Sequence, residues 1–566
     1  VELDPADVDA RLHLAALLRR RMRFDEAAAA CRAALERAPG DARFWLALGE
    51  IGVARLTDEG LREAQRCFER LAELRPEDGE ARYWLGQVHG LEGRRDEALR
   101  CYREALRLQP QAAAYRALLL VEMQQLCEWD GLDALAAEQR RSPAAHPEQA
   151  FDPFTLLSLP STPAEQLACA RNLSRVIEER VSAERGRPAP EFVRLTPRIR
   201  VGYLSAEFHA HATAYLAGEL FELHDRGRFE VIAYSYGPDD RSPVRRRLEK
   251  AFDRFVDLRA RAHGEAADAI RADGIEILVD LKGYTAHSRP EIPALRPAPL
   301  QVSFLGYPGS MGARFIDYLV GDPVVTPPGR AADFDEKLVI LPDCYQPNDR
   351  RRAVGATPGR DALGLPARGF VFCGFNQSYK ITPGVFAAWM RLLQAVPGSV
   401  LWLLEWNRWA PERLRAEARR LGVDPARLVF APLLPADAHI GRLRAADLFL
   451  DTFPVNAHTT ASEALWAGLP LVTCMGETFA SRVAASLLSA ARLPQLAARS
   501  LAEYEALALR LARAPDELAA MRAGLEGGRT KLPLFDTPRF VGHLEAAYEQ
   551  MSALRAAGEA PRQIVL

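Results

Sequence analysis

Apolar residues fall into two textures along the chain. Up to about residue 195 they recur three and four positions apart, the spacing of one helix face. After Pro197 short β-rich runs alternate with helical stretches. The helical part is periodic. Pro5, Pro39, Pro76 and Pro110 stand 34, 37 and 34 residues apart. Ala27, Ala34 and Pro39 are spaced 7 and 5, as are Ala98, Ala105 and Pro110, and Ala64, Leu71 and Pro76 keep the same step. Leu14-Ala15, Leu48-Gly49 and Leu85-Gly86 share one slot, and Cys31, Phe68 and Tyr102 another. Small residues let two antiparallel helices approach. A proline ends the second helix, because it lacks an N–H and constrains the residue before it. The three extra residues of the middle repeat are expected in the turn near Thr57-Asp58-Glu59-Gly60.

These repeats resemble the tetratricopeptide repeat, a helix–turn–helix unit, and the first five residues read as the tail of a preceding one. From 111 to 195 the period decays. AAAYRALLLVEMQQLCEW and PAEQLACARNLSRVIEERV read as amphipathic helices, and the proline-rich RRSPAAHPEQAFDPFTLLSLPSTP between them as irregular.

Beyond that, RIRVGYLSAEF, FEVIAYSYG, IEILVDLKG and LQVSFLGYPG lie between 198 and 309, and FVFCGFNQS, SVLWLLEW, RLVFAPLLP, LFLDTFP and LPLVTCMG between 370 and 476. Strands alternating with helices predict parallel sheets covered on both faces, and two such sets predict two doubly wound Rossmann-like lobes. The expected organisation is an all-α repeat superhelix followed by α/β. It comprises repeats over 1–110, degenerate helical repeats or an adaptor over 111–195, a first lobe over 196–345 and a second over 346–566. The lobes join between about 340 and 368. Such lobes bind ligands in a crevice at the strand C-terminal ends.

Composition narrows the class. The 566 residues are 48% hydrophobic and 26% charged, those of a globular protein, and 73 basic against 75 acidic residues leave a net charge of -2. That balance points to neither a nucleic-acid partner nor a membrane surface. The eight cysteines form no CxxC pair, which argues against a disulfide framework or zinc site. No apolar run is long enough to span a bilayer, and the start, VELDPAD, lacks a signal-peptide pattern, so a reducing cytoplasm is expected.

The residues just after predicted strands carry the candidate chemistry. Lys380, in Asn376-Gln377-Ser378-Tyr379-Lys380, is a candidate diphosphate ligand or a solvated lysine at a turn. His458-Thr459-Thr460 precedes a helix, where backbone N–H groups and hydroxyls form an anion site or the threonines merely cap. His211 is a candidate proton acceptor or a structural histidine, and His209 competes for the same role. Glu463, one turn into that helix, could accept from ribose hydroxyls or simply favour the helix N-terminus. Gly283, Gly306 and Gly309 allow close approach to a sugar or serve turns. Arg350-Arg351-Arg352 reads as a solvated linker face. No Asp-x-Asp or metal-ligand spacing stands at a strand end, so no metal or other cofactor is expected. Lys380 and the helix start would neutralise a leaving diphosphate.

The motifs RVGYLSAEFHAHATAYL, ALRPAPLQVSFLGYPGSMGA, FCGFNQSYKITP, DTFPVNAHTTASEALWAGLPLVTCMGETFASRVAASLL and KLPLFDT, behind the repeats, resemble the protein O-GlcNAc transferase family over nearly the whole chain. The resemblance implies lobes of the glycosyltransferase-B type, UDP-GlcNAc as donor, protein or peptide acceptors guided by the repeats, and transfer to Ser or Thr. It also implies site roles. Lys380 and Gln377 would meet the diphosphate, Thr459 and Thr460 hold it at the helix start, and Leu434 and His439 meet the uracil. Glu463 would take the ribose position, where animal members carry Asp. His458 and the Gly306–Pro308 turn would sit beside the sugar. His211 would stand by the reacting centre, with Asp268 or a phosphate oxygen as rival bases. Unlike animal members, this chain joins its lobes without a long insertion, has Ala436 where they have a ribose-binding Lys, and has no asparagine before Asn172, so their asparagine ladder is absent. Related repeat-bearing enzymes that use GDP-fucose or glycosylate asparagine, and a non-catalytic nucleotide-binding scaffold, are the competing readings.

Overall fold

The computed structural model describes residues 8–182, 192 and 194–566. Pro5 and the tail read into the first five residues lie outside them. The chain divides into two compact units, one made chiefly of the residues up to Met123, the other of most that follow.

The first unit stacks helix pairs: Val8–Arg20 with Phe24–Leu35, Ala42–Arg55 with Asp58–Leu74, and Gly79–Leu91 with Arg95–Leu108. The periodic slots face one another. A Cβ on Gly49 would stand 2.4 Å from the Phe68 ring, and one on Gly86 2.6 Å from the Tyr102 ring. The glycine in one helix therefore makes room for the aromatic ring in its partner. The three extra residues do not lengthen the turn. Leu56, left-handed at φ 51°, and Thr57, which caps Gly60 N at 3.1 Å, are all that separates the helices. The second helix of that repeat absorbs them, with 17 residues against 12 and 14 in its counterparts.

The proline-rich stretch is less irregular than its composition predicts. Helix Leu132–Ala145 runs through Pro143. In the last turn proline removes only one backbone bond, and its carbonyl still accepts from Asn172 Nδ2 at 2.8 Å. Pro153 opens the short helix Pro153–Leu157 at a position whose N–H has no helical partner anyway, with Asp152 as the cap. Helix Pro163–Ser182 follows.

The second unit holds two parallel sheets. The first contains β1 (Ile199–Ser205), β2 (Phe229–Ser235), β3 (Arg254–Asp257), β4 (Ile277–Asp280), β5 (Leu300–Ser303), β6 (Tyr318–Gly321) and β7 (Lys337–Ile340). The second contains β8 (Val371–Gly374), β9 (Val400–Leu404), β10 (Leu428–Ala431), β11 (Leu448–Leu450), β12 (Leu471–Cys474) and β13 (Ala497–Ala498); β14 (Ile564–Val565) returns to the first. The strand orders are β14-β7-β6-β5-β4-β1-β2-β3 and β10-β9-β8-β11-β12-β13. Central strands such as β4, β5 and β8 are buried at every position, which is why they read as unbroken apolar runs. These are the two doubly wound lobes the alternation predicts. The sequence reading did not pick out β3, β6, β7, β13 and β14, all of four residues or fewer.

The chain after Asp536 leaves the second lobe. Helix Thr537–Ala556 packs on helix Ala212–Leu223, and β14 pairs with β7. The expected extent of the second lobe, 346–566, is thus corrected at its end, since an amphipathic helix does not announce which sheet it covers. Buried His224 ties this return to the first sheet: its Nε2 lies 2.8 Å from Tyr203 Oη and its Nδ1 3.0 Å from Glu545 Oε1. Glu545 also accepts from Asp225 N at 2.8 Å. Between Ile340 and Asp361 there is no helix or strand. Arg350 and Arg351 are exposed, as a solvated face expects, but all three arginines there are also engaged. Arg350 pairs with buried Glu219 at 2.7 Å, Arg351 with Glu222 at 2.9 Å, and Arg352 lies over Trp466.

Replacing Glu545 with Ala strips a buried imidazole and a main-chain N–H of their acceptor, and costs about 3 kcal/mol. Thermal or denaturant unfolding of Glu545→Ala measures it; a loss below about 0.5 kcal/mol, the level of a neutral surface change, would show that this return helix does not anchor the lobe.

Candidate active site

Each sheet reverses its winding once, and a doubly wound fold binds ligands at that switch point. In the first sheet it lies between β1 and β4, whose C-terminal ends deliver Glu207 to His211 and Asp280 to Gly283. In the second it lies between β8 and β11, which deliver Asn376 to Lys380 and Asp451 to His458. The two meet across the lobes. Tyr215, beside His211, has its phenol pKa raised by burial, then by the carboxylates of Asp240 and of Glu463 and Asp437 in the second lobe. A buried cluster that includes Tyr284 and Met311 of the first lobe, Val455 and Ala480 of the second, and Leu157 and Ile177 of the preceding helices packs them together.

At the second switch point, buried Asp451 accepts from Thr452 N and Ala457 N, both at 2.7 Å, and from Thr473 Oγ1 at 2.6 Å. Asn376 Nδ2 reaches Asp451 Oδ1 at 3.3 Å, while Asn376 Oδ1 accepts from Thr460 Oγ1 at 2.9 Å. Lys380 Nζ donates to Asn456 O at 2.8 Å, three residues before Thr459. Burial lowers the Lys380 pKa to about 8, against the opposing pull of Asp451. Helix Thr459–Trp466 starts after His458 with no side chain capping it, three residues past the carbonyl that takes Lys380. The loop bearing Lys380 is held from outside: Ser378 Oγ donates to Gln125 O at 2.6 Å and Asn407 Nδ2 to the same carbonyl at 2.7 Å.

Along the same rim, His439 Nδ1 accepts from Arg442 at 2.8 Å, which leaves Nε2 to carry the proton, 3.6 Å from Glu463 Oε2. Burial and then Arg442 push the His439 pKa down to about 3, so the ring is neutral. Burial raises Glu463 to about 7, against Arg352 and Arg442. Leu434 is 39% exposed at the mouth, and Ala436 opens helix Ala436–Leu443. Burial and Lys380 keep the half-buried His458 ring uncharged, and it bonds the Ala480 backbone.

At the first switch point Glu207 lies between Lys282 Nζ at 2.5 Å and His211 Nδ1 at 3.2 Å. Gly306 packs on the neighbouring strand end, where a Cβ would stand 2.0 Å from Leu281 O. Its close approach is therefore to its own backbone. Gly283 is left-handed at φ 54°. Pro308 is buried beyond Gly306.

The structure thus ties Lys380 to the chain at Asn456 and Asn376 to Thr460, sets His458 near Lys380 and His439 near Glu463, and links His211 to Lys282 through Glu207. Gln377 precedes Lys380 in its loop and Leu434 lies exposed ahead of Ala436. Asp268 is not among them. Its side chain is 77% exposed and pairs with Arg271 three residues on, so it is set aside as a base. Sequence reasoning missed the roles of Asp451, Asn376, Glu207 and Lys282. Their only signal is a polar side chain at the end of an apolar strand. Among the described residues no group of three or more His, Cys, Asp or Glu is placed to hold a metal ion. The eight cysteines are unbridged, and no described helix is long and apolar enough to cross a membrane.

Two doubly wound parallel sheets with facing switch points define a fold of the glycosyltransferase-B type. The profile of Glycosyl transferase family 41 matches residues 137–356 and 354–544, and tetratricopeptide repeat profiles match 8–51 and 50–112. The chain belongs to glycosyl transferase family 41. It is 40% identical over 372 residues to a probable UDP-N-acetylglucosamine--peptide N-acetylglucosaminyltransferase, SEC, of Arabidopsis thaliana, covering 64% of this chain and 38% of that one. It is 29% identical over 555 residues to the UDP-N-acetylglucosamine--peptide N-acetylglucosaminyltransferase of Caenorhabditis elegans, covering 75% and 48%. A solved mutant O-GlcNAc transferase of Thermobaculum terrenum superposes with a TM-score of 0.70 at 28% identity, over 98% of this chain and 100% of that one. The chain spans less than half the length of these two curated relatives.

With its ammonium desolvated, Lys380 should titrate near pH 8, well below an ordinary lysine. NMR of isotope-labelled lysine, assigned with Lys380→Arg, reads this directly; a midpoint near 10.5 would put the side chain in solvent.

Proposed function

We propose that the protein transfers N-acetylglucosamine from UDP-GlcNAc to serine or threonine hydroxyls of proteins, with inversion and in a single displacement. The observation that carries this reading is the convergence of Lys380, Asn376–Thr460 and the uncapped start of helix Thr459–Trp466 at the second switch point. The printed activities of the relatives in Arabidopsis and Caenorhabditis support the donor and acceptor class.

The diphosphate sits against Lys380, Gln377 and the helix N–H groups, the uracil against Leu434 and His439, and the ribose against Glu463. His458 and Gly306 flank the sugar, and His211 faces the acceptor. The repeats offer the acceptor an extended surface. The hydroxyl oxygen attacks the anomeric carbon as the bond to UDP breaks, so positive charge gathers on the sugar and negative charge on the diphosphate. Each preorganised donor to that negative charge is worth ~3–4 kcal/mol. In-line placement of both substrates is worth up to ~7–11 kcal/mol. A general base adds roughly 10²–10⁴-fold.

That ranking sets the test. With saturating donor, Lys380→Ala should abolish transfer to a protein acceptor, read by intact-mass spectrometry as added N-acetylhexosamine, whereas His211→Ala should leave a trace. Equal residual rates would overturn the assignment, and transfer of fucose from GDP-fucose instead would overturn the donor.

UDP binding should also depend on pH. The diphosphate needs Lys380 charged and the ribose needs Glu463 ionised, so affinity should peak between about 7 and about 8. Above that window Lys380 loses its proton and affinity falls by up to about tenfold per unit, with proton uptake on binding. Calorimetry of UDP in buffers of differing ionisation enthalpy checks both, and an affinity level past pH 9 would place Lys380 away from the diphosphate.

A further inference from the structure

The first switch point holds a group that the proposed transfer does not yet use. Glu207 is 8% exposed and Lys282 4%. Glu207 Oε1 accepts from Lys282 Nζ at 2.5 Å, and Oε2 accepts from Thr213 Oγ1. Burial works against its charge, but His211 and Lys282 outweigh it and bring the carboxyl down to about 2, so it is a carboxylate at neutral pH. The nearby Asp280 is already committed, with oxygens taken by Lys282 N at 2.9 Å and Gly283 N at 3.2 Å.

His211 Nδ1 has two neighbours that demand opposite protonation. Thr213 N–H points at it from 3.3 Å, which requires a bare nitrogen that caps helix Ala212–Leu223. Glu207 Oε2 stands 3.2 Å away, which requires an N–H. A bare nitrogen would set its lone pair against a carboxylate oxygen. A hydrogen bond to an ionised acceptor is roughly twice as strong as a neutral one, and 3.3 Å lies beyond the usual N–H donor range. The charge of the carboxylate, not a better-aimed bond, is what favours the protonated nitrogen, at the expense of the weak Thr213 cap.

We propose that Glu207 is the positioning residue of His211: clamped by Lys282 and Thr213, its carboxylate selects the Nδ1–H tautomer and leaves Nε2 bare as the proton acceptor. The ring keeps 40% of its side-chain surface exposed, so Nε2 is open to an incoming hydroxyl. This role rests on the transfer proposed above. There, the proton of the acceptor hydroxyl passes to Nε2 and the oxygen bonds the anomeric carbon. The bond from that carbon to UDP breaks, and its electron pair leaves on the diphosphate. The imidazolium so formed is balanced by Glu207. In the opposite tautomer Nε2 carries a proton and cannot accept one.

The full chain labelled with ¹⁵N-histidine gives the test. Long-range ¹H–¹⁵N spectra separate the two neutral tautomers, and His211→Ala assigns the signal. His211 is expected in the Nδ1–H form. Glu207→Gln offers its amide N–H₂ to Nδ1 and should switch the ring to Nε2–H. It should also lower kcat roughly 10²-fold, within the range a histidine base supplies, with UDP affinity and donor KM unchanged within twofold. Glu207→Asp, which keeps the charge, should recover part of the rate. A wild-type ring in the Nε2–H form overturns the proposal, and that spectrum decides even if the glutamine variant fails to fold. So does a tautomer switch with no loss of kcat. A wild-type protein that shows Nδ1–H yet transfers no sugar would sink the transferase reading while the Glu207–His211 coupling stands.

Discussion

Asp451 is the constraint on which the second half of the site depends. A buried carboxyl without partners would cost several kcal/mol or stay protonated. This one, with burial raising it to about 6, is ringed by two main-chain N–H groups, a threonine hydroxyl and the Asn376 amide. Those bonds set the path of the chain from β11 to the helix at Thr459. They also orient Asn376, whose other end holds Thr460. The lysine beside it is desolvated and donates to a main-chain carbonyl in place of a carboxylate, which keeps its charge available for an anion. A surface lysine would spend the same charge on water.

Much of the fold was legible because long elements carry periodic signals. The proline period and its small-residue slots marked the helix pairs, and the glycine-to-ring contacts at Gly49–Phe68 and Gly86–Tyr102 explain why those slots exist. The failures have a common origin. Proline content predicted irregular chain near Pro143 and Pro153, yet proline is costly only where a helical N–H is required. The extra residues of the middle repeat were placed in a turn, but adding nearly one helical turn to an existing helix preserves its buried face. Strands β13 and β14, two residues each, lack the length to show any period.

The site was legible at strand ends but not between them. Lys380, the threonine pair and His211 stand out as charged or capping residues after apolar runs. The residues that aim them do not, because a supporting group is defined by what it touches across the fold. Asn376 reaches 84 residues along the chain to Thr460, and Lys282 reaches 75 back to Glu207. Asp268 failed for the converse reason. The resemblance offers it as a rival base, but here it points to solvent and to Arg271 three residues on.

The return of helix Thr537–Ala556 to the first sheet has a mechanical meaning. The backbone passes between the lobes twice, once through the segment after β7 and once ahead of Thr537. One connection alone is a swivel. With two connections, twisting or sliding one lobe on the other must strain both segments. A second crossing therefore resists relative twist and sliding that a single connection would leave free.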